Sequence, residues 1–455
     1  MAKEYTLHSL KIGTTTHIPV NQSSIDPGIQ ALVEGAGSSI DSTVVGLVAA
    51  QPVCNFTTPA LGTALAACGV AGVSAGDDDI VLYFVKLVSG ASYSASADCV
   101  SLTIKSGHCT LQRINGDKDS AATAEYQVFI TYDGTNAPIV LSAADTAPTV
   151  TALAELYTLY CVTSTTSAPV TTQFPVDNAV VDNGIEEFHE RTASGPYPTM
   201  AAIKMWKPRA TWSTPAVKVA LDVCGIDNLS CTNTIVYFGK LDTGGTFASG
   251  ANHVSCTLSD PLVAFRGLDA RHPEPATVNF EAFGVYDDTN DPLTEPLIIA
   301  VDAELPAASA LAELFTCGPA IFDGATSFET KSISLDTGLN VIHEGDSGDH
   351  RPDIAAVTRR DPRLTIDVQD IGQLPVMGQT DAGALLYLRK VDEDGTRVAV
   401  AAEEHIKITL TAAMSHTGST SGSFGGDPAS QTITLIPIKD GANDVVKIET
   451  TKAIA

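Results

Sequence analysis

The sequence predicts a mainly β protein of three tandem homologous units, each a β-sandwich or partly closed barrel with one or two short helices. Three observations carry this reading. An Asp-x-Gly turn motif recurs at residues 26, 182 and 336, at offsets of 156 and 154. Short runs of β-branched and aromatic residues recur between turn signals, and a Thr-Pro-led, Gly-ended helix pattern appears in the first two copies. The copies are read as residues 1–164, 165–324 and 325–455.

The elements follow in order. The turn motif reads Ile25-Asp26-Pro27-Gly28-Ile29 with Glu34, Val181-Asp182-Asn183-Gly184-Ile185 with Glu190, and Leu335-Asp336-Thr337-Gly338-Leu339 with Glu344. Gly accepts positive φ, so each motif predicts a strand, a turn and a strand. A proline opens the next strand at Pro52, Pro208 and Pro362. TPALGTALAACG and TPAVKVALDVCG predict a helix of about three turns, with Thr58 as cap, Pro59 in the first helical position and Gly69 as terminator. In the third copy the matching IDVQDIGQLPVMG diverges.

A strand with Tyr and, three residues later, Lys follows as Tyr83/Lys86, Tyr237/Lys240 and Tyr387/Lys390. Period-two alternation puts the two on opposite faces, Tyr for packing and Lys for surface pairing. VSLTI, VSCTL and IKITL begin at Val100, Val254 and Ile406. The closing turns carry Asp133/Asn136, Asp287/Asn290 and Asp440/Asn443. LAELYT at Leu153 and LAELFT at Leu311 suggest a second short helix around Leu153–Tyr160. The third copy lacks it and reads as truncated. TSTTSAPVTT (163–172) and GPAIFDGATS (318–327) read as short linkers that hold the copies side by side.

Composition narrows the function. Charged residues are 17% of the chain, a low share for a free surface and one that suits a protein covered by neighbours. The net charge of −27 divides as −8, −12 and −7 over the three copies, so acidity belongs to the repeat. Binding to nucleic-acid phosphate needs a basic footprint, which excludes DNA as a ligand but not as a passenger. No apolar run has transmembrane length, and the first residues lack a signal-peptide core. The nine Cys form no CxxC pair and read as reduced, buried thiols, consistent with synthesis in a cytoplasm.

Catalytic and metal-binding patterns fall short. Gly345-Asp346-Ser347-Gly348 echoes a serine-protease tetrad but has no triad partners upstream and stands in one copy only. His189-Glu190 and His343-Glu344 share a repeat position, yet no second His follows one helical turn later. The clusters Asp77-Asp78-Asp79, Asp117/Asp119 and Asp287-Asp288 with Asp291 lack calcium-loop spacing. No Gly-rich phosphate loop occurs. The expectation is a chain that is not an enzyme and holds no cofactor or metal.

Acidic tandem β units with Asp-x-Gly turns, short strands and one small helix resemble the tail tube proteins of long-tailed bacteriophages. The resemblance lies in pattern and composition over all three copies. It implies two packed antiparallel sheets with a flanking helix per unit, and sixfold rings stacked into a hollow conduit. DNA would pass the acidic lumen as a non-specific passenger. It further implies a virion tail location, other tail proteins as partners, no membrane, and assembly in a bacterial host. Members with duplicated domains form trimeric rings that mimic six; three domains per chain departs from that pattern. Two other readings compete. A tandem surface protein or adhesin predicts a secretion signal and few thiols. An enzyme predicts one copy diverging at clustered polar positions.

Overall fold

The computed structural model describes residues 5–454 except 14–15, 36–41, 43, 71–72, 76–79, 89–91, 94–97, 150–154, 167–170, 193–194, 227–228, 288–294, 308–312, 323–325, 346–347, 369–379, 382, 393, 422–429, 440 and 442–443. The chain is mainly β, with two sheet layers enclosing an apolar core. The same antiparallel pairings occur three times, defining units 1, 2 and 3.

The outer layer of unit 1 pairs Tyr5–Ile12, Ile80–Val88, Cys99–Ile104 and Ile139–Asp145 in that order. Unit 2 repeats it with Leu156–Thr166, Leu229–Leu241, His253–Ser259 and Leu297–Ala303. Unit 3 repeats it with Leu314–Phe322, Ala384–Val391, His405–Leu410 and Val446–Lys452.

These pairings correct three sequence expectations. LAELYT and LAELFT lead into strands, not helices, and each strand opens the following unit as Tyr5–Ile12 opens the first. The β-branched and aromatic content of YTLYCVTSTT outweighed the helical look of its Leu-Ala-Glu start. Unit 3 carries the same four outer strands as units 1 and 2, and the LAEL segment that sequence reading assigned to the end of a copy leads into the first strand of the next. The supposed linkers TSTTSAPVTT and GPAIFDGATS are hairpin connections inside units 2 and 3, where Leu156–Thr166 pairs Thr171–Phe174 and Leu314–Phe322 pairs Thr326–Asp336. The boundaries at 164/165 and 324/325 accordingly move upstream of Leu156 and Leu314.

The inner layer does not stop at unit boundaries. Its strands run Gln22–Asp26, Val53–Thr58, Ser120–Ile130, Gly107–Asp117, then Asn178–Asp182, Arg209–Thr214, Thr277–Phe283, Leu262–Arg271, then Thr326–Asp336, Arg363–Val368, Ser430–Pro437 and Ala413–Ser421. One apolar core lies behind it from Leu10 in unit 1 to Leu435 in unit 3. Phe56 stacks on Tyr126 at 5.1 Å, and the equivalent Trp212 on Phe280 at 5.7 Å. Ile366 and Ile433 pair at that place in unit 3.

Helices α1 (Leu61–Cys68) and α2 (Val217–Cys224) have eight residues each, about two turns where three were expected. Thr58 and Thr214 bond the amides of Ala60 and Ala216 at 3.1 Å, so they fold the Thr-Pro turn ahead of the helix. Gly69 and Gly225 end the helices at φ 66° and 63°. The corresponding third segment lies within residues 369–379, outside the described residues.

The Asp-x-Gly turns match closely. Asp26, Asp182 and Asp336 each accept a bond through Oδ1 from the amide of Gly28, Gly184 or Gly338, at 2.9, 3.0 and 2.9 Å. Those glycines have φ of 53°, 60° and 56°. A Cβ on them would overlap the carbonyl oxygen of Gln51, Lys207 or Asp361. Both position and space demand glycine. Gly184→Ala should therefore cost about 2–3 kcal/mol in urea unfolding. Gly46→Ala, where an added Cβ meets nothing within 4 Å, should change stability by less than about 0.5 kcal/mol.

Candidate assembly interface

The chain's most elaborate construction is the joint between consecutive units, built twice over. Its base is a backbone ladder. Residues Arg113–Asp117 pair with Asn178–Asp182 at the first joint, and Gly267–Arg271 with Ser332–Asp336 at the second. In both, a bulge just before Arg113 or Gly267 re-aims that strand towards the next unit.

The middle residue of each turn motif locks the ladder. Asn183 is fully buried, and its backbone amide donates to Gln112 O while Nδ2 donates to Val70 O and Leu111 O, all at 2.8 Å. Its Oδ1 accepts from Trp206 Nε1 at 2.7 Å. At the second joint Thr337 makes equivalent bonds: its amide donates to Arg266 O at 3.0 Å and its hydroxyl to Phe265 O at 2.8 Å. In unit 1 the position is Pro27, which is exposed and has no N–H to give.

The hairpin after each turn forms an arm. Arm 2 pairs Ile185–Glu190 with Met200–Trp206, and arm 3 pairs Leu339–Glu344 with Ile354–Arg360. Each reaches back over the preceding unit. Ala50 and Tyr132 amides donate to Pro196 O and Pro198 O at 2.9 and 2.8 Å; Trp206 and Tyr286 amides donate to His350 O and Pro352 O at 2.8 and 2.7 Å. His189 packs on Phe129 at 4.7 Å, and His343 on Phe283 at 5.5 Å. Burial holds the pKa of both histidines down; for His343 the nearby Lys207 and Arg209 add to this, and an imidazole Nε2 to Gly284 O contact of 2.7 Å opposes it. Arg351 lies over Tyr286 at 4.7 Å and grips Glu295 at 2.7 and 2.8 Å. Glu190 and Glu344 close the arms through their carbonyls, accepting from Thr199 and Asp353 at 2.8 and 3.1 Å. Glu34 ends the corresponding strand of arm 1, Ile29–Glu34 paired with Val44–Ala50.

The helices complete the joint as wedges. α1 packs against His253–Ser259 and Leu297–Ala303 of unit 2, and α2 against Val446–Lys452 of unit 3. Glu155 Oε2 accepts from the amide and hydroxyl of Thr63 at 3.2 Å, while its Oε1 meets Lys240 at 3.5 Å. Thr450 donates to Asp222 at 2.5 Å. The other repeated lysines also pair with acids: Lys86 with Asp98 at 3.3 Å, and Lys390 with Glu313 at 3.2 Å as well as Glu404. Tyr387 is buried, and Tyr83 and Tyr237 are half-buried.

The inner sheet's open face is polar, with Ser, Thr, Asn and Gln between charged residues. Its acids include Asp117, Glu125, Asp182, Asp269, Glu281 and Asp367. Arg113 pairs with Glu125 at 3.2 Å, Arg209 with Asp182 at 3.0 Å and Arg266 with Glu281; Arg271 and Arg363 share the face. This face is therefore mixed rather than uniformly acidic.

The remaining sequence candidates do not converge. His189-Glu190 and His343-Glu344 lie in arm strands. Asp117 caps its own turn by accepting from the Asp119 amide at 2.8 Å, and Asp133 does the same for Thr135 and Asn136 at 2.7 Å. Asp346, Ser347, Asp77-Asp78-Asp79, Asp288, Asn290, Asp291, Asp440 and Asn443 lie outside the described residues. Among the described residues no group of three His, Cys, Asp or Glu is placed to hold a metal, and no helix is long and apolar enough to cross a membrane. All nine cysteines are free thiols and buried, with burial pushing Cys54 and Cys161 up to about 12.

No family model matches the chain, and no curated protein matches its sequence. The joint yields its own test. Asn183→Ala strands the Trp206 indole N–H and the Leu111 carbonyl in the core, and should cost about 2–4 kcal/mol by denaturant titration.

Proposed function

We propose that the chain is a structural subunit of a phage tail tube, two copies of which complete a ring of six units that stacks into a DNA conduit. The observation that carries this reading is the single twelve-stranded inner sheet, continuous through three units; among the described residues its first strand Gln22–Asp26 has no outer partner, and its last, Ala413–Ser421, is paired there only at Ala413–Met414, with Thr380–Asp381. Independent modules on a surface adhesin need no shared sheet. A ring wall does.

Size favours two chains. Strands about 4.8 Å apart and tilted about 40° close at a backbone diameter of about 25 Å for twelve strands and about 50 Å for twenty-four. Side chains take about 5 Å from each wall, leaving bores of about 15 and 40 Å. A duplex whose grooves are about 8.5 and 7.5 Å deep is at least about 16 Å across. One chain is too narrow, and two leave room. A wall of hydroxyls, amides and paired arginines, with acids in excess, offers phosphate little to grip.

Native mass spectrometry and negative-stain microscopy of the purified protein test this. The expected result is a ring of two chains stacking into smooth hollow tubes. Rings with another chain number would refute the stoichiometry, and a chain that stays monomeric at high concentration would refute the tube.

A further inference from the structure

We infer that the first arm of one chain seats on the third unit of a second copy, and that Ser24–Asp26 of its first inner strand continues the ladder from the second copy's Ser419–Ser421. This rests on the self-assembly reading above and supplies its joint. Each internal joint has a donor side and an acceptor side. Unit 1 presents a donor side with no acceptor, and unit 3 an acceptor side with no donor.

The donor side is exposed and apolar. Ile29, Val33, Val45 and Leu47, which the strand register puts on one face of arm 1, are 45–70% exposed, an apolar patch that a solitary monomer would not favour. The acceptor side is an open cavity of about 550 Å³ lined by Arg360, Ile436, Ile438 and Lys439 among others. The repeat register puts Arg360 where Ala50 and Trp206 receive an arm, Ile436 where Phe129 and Phe283 stand, and Lys439 where Tyr132 and Tyr286 stand. Arms 2 and 3 cover those places in units 1 and 2.

The substitutions are matched. His189 and His343 meet Phe129 and Phe283, whereas their equivalent in arm 1 is Val33, which would meet Ile436. An aromatic contact is exchanged for an aliphatic one on both sides. The ladder also has a defined register: Asp182 faces Arg113 and Asp336 faces Gly267, which puts Asp26 opposite Ser419 of the second copy. Pro27 removes the lock that Asn183 and Thr337 supply, since it cannot donate to the equivalent carbonyls, Thr417 and Gly418. The joint between chains is therefore weaker than the two within a chain, as suits subunits that fold first and assemble later.

Val33→Cys with Ile436→Cys, in the full chain under mild oxidation, tests the seating, because the nine native thiols are buried. Disulfide-linked dimers and larger species should form in the double variant and in neither single variant. Absence of linked species, or a bond within one chain, would overturn the proposal. Pro27→Asn should tighten association between chains about tenfold, the equivalent of one or two added hydrogen bonds; an unchanged affinity would overturn the register. Cross-linking without tubes would leave this joint and remove the conduit. Tubes without cross-linking would do the reverse.

Discussion

An edge strand with unpaired amides and carbonyls must be covered, and the structure meets that constraint by joining unit to unit. The ladders Arg113–Asp117 to Asn178–Asp182 and Gly267–Arg271 to Ser332–Asp336 turn three short sheets into one. Everything else at the joints serves to hold those two ladders. The bulge aims the strand, the Asp-x-Gly turn stops it at the right residue, and the arm and helix seal it from water on either side.

The turn shows how local and long-range demands meet in three residues. Asp closes the turn on the Gly amide, Gly supplies the left-handed backbone beneath the carbonyl of the following strand, and the residue between them reaches the previous unit. The buried Asn183 answers four partners at once, so the first joint depends on a satisfied polar cluster at an apolar core. Thr337 does part of the same work. Pro27 does none, which marks the first unit as the one whose outer edge has no partner within its chain.

Much of this was legible in the sequence. Asp and Gly at matching offsets located the turns because both are required by local geometry. The VSLTI, VSCTL and IKITL strands followed from β-branched content. What the sequence hid is what depends on distant residues. The stretch led by Leu-Ala-Glu looked helical over one window, yet from Leu156 onward pairing with Ile235–Leu241, and from Leu314 onward pairing with Ala384–Val391, makes it a strand. Thr-rich stretches looked like linkers because Thr is common in both linkers and strands. The residue between Asp and Gly varied among Pro, Asn and Thr, and variation read as indifference when it in fact distinguished a free edge from two buried joints. The packing of His189 on Phe129 had only its repetition at His343 and Phe283 to announce it.

The central claim is that the two ends of the chain are the two halves of one more joint. Hydrogen exchange of the intact protein, dilute and then assembled, addresses it most directly. Amides in Ser24–Asp26 and Ser419–Ser421 should both slow on assembly, to the same extent and over the same concentration range, while Arg113–Asp117 and Asn178–Asp182 stay protected throughout. Assembled protein in which both end strands exchange as fast as in the dilute chain would contradict the account.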